Sequence, residues 1–271
     1  EAALMAARRG LKAITKQELE EARDKVRWGK ERRSLAMSDK EKENTAYHEA
    51  GHALLGLLLP NTDPLHKVTI IPRGPSLGST MYLPTEDKYT QRKNELLDRL
   101  IMIMGGRVAE ELIFGDVTNG ARGDIKQATD ISRRMVCEWG MSDKMGMVEY
   151  GEHEDYVFLG RDISRNRNYS EATAQEIDQE VHALCENAHN IAKDLLSKNR
   201  STLEAIAKAL LEYETLDGSH IREIMQFGSI QNPPVSPEPP SSTPPPLKPR
   251  QASEKPSSAP GFPPEFSGAP A

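Results

Sequence analysis

His48, Glu49 and His52 stand in the order His-Glu-x-x-His, a pattern whose chemistry depends on helical spacing. On a helix, positions i and i+4 lie one above the other on one face, so both imidazoles can reach a single zinc ion. The glutamate, one residue on and about 100° around the axis, still reaches a water at that ion. The chemistry these residues would carry is hydrolysis, with a metal to activate water and Glu49 to take its proton. On the solvated side of a helix the same residues would be ordinary surface. The flanks argue for burial: Ala46, Ala50, Gly51 and Ala53 let neighbouring backbone come close, and Leu54 to Leu59 is almost entirely leucine.

A catalytic zinc takes three protein ligands and keeps one position open. One common arrangement places a third histidine six residues after the second, but position 58 is leucine. Glu110, Glu111, Asp124, Asp130 and His66 therefore remain as candidates. Glu110 and Glu111 also read as a solvated pair of charges. Asp124 also reads as a helix cap, since short acids at helix N-termini bond the first free N–H groups.

The elements that must position these residues are mainly helical, with one small sheet. Residues 1–9 read as a helix end stopped by Gly10. Thr15 with Glu18 forms a capping box and opens a helix with Leu19, Ala22 and Val26 on one face, ended by Gly29 as a C-cap or hinge. Ser38 with Glu41 opens the metal-bearing helix, which runs to Leu59 before Pro60. Leu65 to Ile71 and Gly78 to Leu83 have strand character around a Pro-Arg-Gly-Pro turn. A helix from Thr90 is expected to break at Gly105-Gly106, with a short helix from Arg107 to Phe114. A loop from Gly115 to Gly123 then leads into a helix from about Asp124 to Trp139. Residues 141–170 read as irregular. Helices over 172–198 and 202–214, the latter behind a Ser201/Glu204 box, and a short one after Ser219 complete the chain.

Composition divides the 271 residues unevenly. From Asn232 on, 40 residues hold 14 of the 19 prolines, so 231–271 is read as a disordered, partly polyproline II tail. Net charge is −6 without a basic stripe, which argues against nucleic acid as a partner. Two cysteines, Cys137 and Cys185, fit a reducing compartment. No apolar run approaches the roughly 18 residues that span a bilayer. The chain begins mid-helix in character, so it is expected to be part of a longer protein.

Five strings resemble the peptidase domain of the FtsH family, membrane-anchored, ATP-dependent zinc proteases. They are HEAGH, GSTMYLP, GGRVAEELIFG, GARGDIKQAT and EWGMSDKMG, in collinear order between residues 1 and 228. The resemblance implies that Asp124 is the third ligand beside His48 and His52, with Glu49 as the catalytic base. Arg122-Gly123 departs from the small residue and asparagine common there in the family, which is expected to loosen the loop before Asp124. Residues 1–33 resemble the last helices of an AAA+ small subdomain, 34–230 the zinc peptidase domain. Gly29 lies where the family has a hinge between rings. The resemblance also implies one zinc ion per subunit, a homo-hexamer, and ATP bound only by a domain outside this chain. The parent protein would sit on the cytoplasmic side of the bacterial inner membrane. Unfolded or extended polypeptide is the expected substrate, lying along the edge strand at Leu77, Gly78, Ser79, Thr80 and Met81. Two other readings stay open: a zinc-stabilised assembly platform without catalysis, and a metallopeptidase that works without a motor.

Overall fold

In the computed structural model, residues 1–32, 35–150 and 169–234 are described. Most of the proline-rich tail, and residues 151–168 of the stretch read as irregular, lie outside them. The helices are α1 (Ala2–Arg8), α2 (Lys16–Trp28), α3 (Asp39–Leu58), α4 (Lys93–Phe114), α5 (Arg122–Cys137), α6 (Glu171–Lys198), α7 (Arg200–Tyr213) and α8 (Gly218–Phe227). Three strands, β1 (Leu65–Thr69), β2 (Ser79–Tyr82) and β3 (Thr215–Asp217), form one antiparallel sheet in the order β2-β1-β3. The architecture is the expected one, mainly helical with a small sheet. No helix among the described residues is long and apolar enough to cross a membrane.

Helix α3 is central. Its start is fixed by the expected capping box: Glu41 N–H donates to Ser38 Oγ at 3.2 Å, and Ser38 N–H donates to Glu41 Oε2 at 3.1 Å. Ala46, Ala50, Ala53, Leu54 and Leu55 are wholly buried, packed between α4 and α7. Small side chains here bring the backbones of α3 and α4 together. A Cβ on Gly51 would lie 2.3 Å from the Gly105 carbonyl oxygen, and one on Gly105 would lie 2.7 Å from that of Gly51.

That contact corrects one expectation. Gly105-Gly106 is no break, because α4 runs unbroken through all 22 residues. Each helical glycine costs roughly 1 kcal/mol against alanine, and close packing against α3 offsets that cost. Helix α4 also begins at Lys93 rather than Thr90, with Glu95 accepting a hydrogen bond from Arg92 N–H at 2.9 Å.

Two further corrections concern α2 and α7. The face of α2 read as apolar is not a core face: Ala22 is buried, but Leu19 and Val26 are 57% and 72% exposed. Charge docks the helix instead, through buried Asp24, which pairs with Arg23 at 3.1 Å and with Lys67 of β1. The Ser201/Glu204 box does not form. Helix α7 starts at Arg200 directly after Asn199, and Glu204 accepts from the Arg200 guanidinium at 3.0 Å. Strand β3 was not anticipated. It follows Glu214, whose φ of 58° ends α7 in the left-handed region.

Candidate zinc site

Helix α3 carries His48 and His52 on the face turned toward α4 and α5. The two Nε2 atoms are 3.1 Å apart. Asp124, in the first turn of α5, brings Oδ2 to 3.1 Å from His48 Nε2 and 3.6 Å from His52 Nε2. Among the described residues these three form the one group of three or more His, Cys, Asp or Glu side chains with converging ligand atoms. Ligands about 2.0–2.1 Å from a common zinc at tetrahedral angles stand roughly 3.3 Å from one another. The observed separations match that requirement, and two nitrogens with one carboxylate oxygen suit zinc.

The outward nitrogen of each ring is also held. His48 Nδ1 is 2.7 Å from Glu110 Oε1, and His52 Nδ1 is 2.9 Å from the Met102 carbonyl oxygen. A ring that donates from Nδ1 keeps the lone pair of Nε2 for a metal, the arrangement that orients metal-binding histidines generally. Gly106 makes room for the His48 ring, since a Cβ there would lie 2.4 Å from Nε2. Gly106 and Glu110 are four residues apart and share one face of α4. One face therefore both seats the ring and holds its far nitrogen.

The cluster favours positive charge. Burial works against a charged His48, yet its hydrogen bonds with Asp124 and Glu110 push its pKa up to about 10. Burial likewise raises Asp124, but the two histidines hold it well below the usual carboxylate range. Glu110, wholly buried, is held low by His48 and by the Thr118 N–H at 2.8 Å, against the burial that raises it. Surroundings that stabilise a proton among these donors stabilise a divalent cation for the same reason, and metal takes the proton's place.

Glu49 is buried on the same helix, and its Oε2 accepts a hydrogen bond from Thr80 Oγ1 of β2 at 2.6 Å. Tyr82, two residues along β2, donates from its hydroxyl to the His52 carbonyl oxygen at 2.8 Å. These side chains line a cleft of about 1490 Å³ together with Leu77, Gly78 and Ser79. Met81, also expected along the substrate edge, has its side chain buried in the core. The strand begins at Ser79, so Leu77 and Gly78 lead into it.

The remaining candidates are elsewhere. Glu111 bonds His189 at 3.0 Å and Lys193 at 2.9 Å on α6. His66 Nε2 is 2.9 Å from an Arg23 guanidinium nitrogen. Asp130 is exposed and lines an adjoining hollow with Arg134 and Trp139. Arg122 and Gly123 do not form a loosened loop; they open α5, where Gly123 meets open space. Sequence reasoning weighed Glu110 as a ligand and missed its contact with His48 Nδ1. It also placed Thr80 by its backbone and missed the hydroxyl on Glu49. The i, i+4 spacing of Gly106 and Glu110 was a usable signal for the first; nothing in the sequence marked the second.

A glutamate beside two helix-borne imidazoles, with a carboxylate from a later helix converging on them, is the arrangement of a metallopeptidase-type site of the His-Glu-x-x-His class. The model of Peptidase family M41 matches residues 35–224. The ATP-dependent zinc metalloprotease FtsH 2 of Methylacidiphilum infernorum is 58% identical over 234 residues, 86% of this chain and 36% of the relative. The FtsH of Akkermansia muciniphila is 55% identical over 241 residues, covering 89% and 30%, and that of Thermotoga maritima 50% over 226 residues, covering 83% and 37%. The chain belongs to peptidase family M41 as the peptidase portion of an FtsH-type zinc metalloprotease, and it spans about a third of the length of these relatives.

Proposed function

We propose that this chain is a zinc-dependent endopeptidase unit in which His48, His52 and Asp124 hold the metal and Glu49 is the general base. The observation that carries the reading is the convergence of three ligand atoms at 3.1–3.6 Å beside a buried glutamate on the same helix. When bound, zinc supplies Lewis acidity toward a water and a carbonyl oxygen. Glu49 takes the proton of the attacking water and passes it to the departing amine. Glu110 and the Met102 carbonyl keep the two rings from turning.

Substrate lies extended along β2, an edge strand of the sheet, by strand addition. That mode fixes the peptide by its backbone and tolerates varied side chains, which suits unfolded polypeptide. Residues 1–33 form the end of an AAA+ small subdomain, 34–230 the peptidase domain and 231–271 a tail. ATP dependence, a homo-hexamer, a membrane anchor and a place on the cytoplasmic side of the bacterial inner membrane belong to the longer protein. The names of the relatives, ATP-dependent zinc metalloproteases, support the first of these.

Glu49→Gln tests the base assignment. Zinc content is expected to stay near one per chain while casein hydrolysis falls about 10²–10⁴-fold. Retained activity would rule the assignment out.

A further inference from the structure

We propose that Thr80 is the positioning residue for Glu49, so that the strand offered to substrate also sets the aim of the general base. The inference rests on the reading above, and it begins from an asymmetry in how the three helix side chains are held. His48 and His52 are fixed from α4, by Glu110 and by the Met102 carbonyl. Glu49 receives nothing from α4 or α5. Among the described residues, the one hydrogen bond to its carboxylate comes from Thr80 Oγ1, at 2.6 Å, and the same hydroxyl lies 3.2 Å from the Glu49 carbonyl oxygen.

Gly78 closes the other side. A Cβ at that position would lie 2.8 Å from Glu49 Cγ and Oε1, and equally close to Thr45 Cγ2. The Glu49 side chain is thus tethered by one residue of the β2 segment and walled by another two positions before it. Tyr82 adds the second anchor. Thr80 and Tyr82 alternate onto the same face of the strand, and Tyr82 bonds the backbone of α3 at His52. Strand and helix are pinned to each other at two points, one beside the base and one beside a metal-binding residue.

The consequence concerns catalysis. A peptide that adds to the free edge of β2 docks on the element that aims Glu49, so the scissile bond and the base share one frame. Misplacing a reacting group by about 1 Å can cost on the order of 10²-fold in rate, which sets the scale of what Thr80 contributes. A hydroxyl is suited to the task because it donates one proton and leaves the carboxylate its remaining lone pairs for a water.

The test compares Thr80→Val, which keeps the β-branched shape, with Thr80→Ser, which keeps the hydroxyl. Both are made in the full chain, and zinc content, melting temperature, kcat and KM are measured on casein. The Val variant is expected to hold its zinc and its fold, to lose roughly 10–100-fold in kcat, and to change KM by less than about threefold. The Ser variant is expected to recover most of kcat. In a Glu49→Gln background, adding Thr80→Val should cost nothing further, a non-additivity that a purely structural role would not give. If Val disturbs the strand, the Thr80→Ser and Thr80→Ala pair carries the same comparison, since those two differ by the hydroxyl alone. Wild-type kcat in Val or Ala, or Ser as impaired as Ala, overturns the inference. An active Glu49→Gln would instead remove the base assignment on which it rests, so the two failures are told apart.

Discussion

Asp24, buried, and Asp124, half-buried, are both carboxylates kept ionised by their neighbours. Their surroundings differ in kind. Asp24, on α2, is 1% exposed and met from several sides by cations: Arg23, Lys67 of β1, and Arg73 at 3.9 Å. Arg73 in turn pairs with Glu31. The charges there meet one another, and none of these residues lines the large cleft. Asp124 instead faces two imidazoles whose Nε2 atoms converge with its own oxygen, and the cluster lines the large cleft. Its charge asks for a cation that neighbouring lysines and arginines do not supply. A closed network fastens α2 to the sheet, whereas a convergent one with an open side is the arrangement proposed above to hold a metal. Buried charge alone separates nothing; the direction in which its partners point does.

Breaking each network should therefore give different readouts. Asp124→Asn has the largest expected effect: zinc retention and proteolysis are both lost after dialysis against a weak chelator, while the fold remains by circular dichroism. Asp24→Asn should instead cost about 3–5 kcal/mol of stability, because Lys67 and Arg73 lose their buried partner. Denaturant unfolding reads that loss, and zinc per folded chain should not change. Glu110→Gln comes next. It keeps the three ligands and loosens His48, so a competitive chelator titration should show zinc bound about 10–100-fold more weakly. Val26→Lys, on the exposed side of α2, is the smallest, expected within about 0.5 kcal/mol of wild type in the same unfolding experiment. A large loss there would mean that α2 is held by its apolar side and not by Asp24.

Much of this was legible in the residues. The His48, Glu49, His52 spacing carries its own geometry once it is helical, and Ser38 with Glu41 sets where that helix starts. Asp124 was open on spacing alone, since it lies 72 residues beyond His52, and the family resemblance put it forward as the third ligand. The glycines of α4 misled because a local rule, glycine as helix breaker, gave way to a tertiary contact with Gly51. Leu19 and Val26 misled in the opposite sense: helical periodicity marks a face, but not what covers it. Glu110 and Thr80 act through a side-chain oxygen that meets a residue far off in the chain, and such pairings exist only once α4 and β2 are packed on α3.

The central claim is that two imidazoles and one carboxylate of this chain hold a single zinc. Zinc K-edge X-ray absorption on the purified protein tests it most directly. The account predicts one zinc per chain, with an oxygen and nitrogen shell near 2.0–2.1 Å, the scattering of two imidazoles, and no sulfur. Three or more imidazoles, a sulfur shell, or a wild-type spectrum that persists unchanged in Asp124→Asn would contradict it.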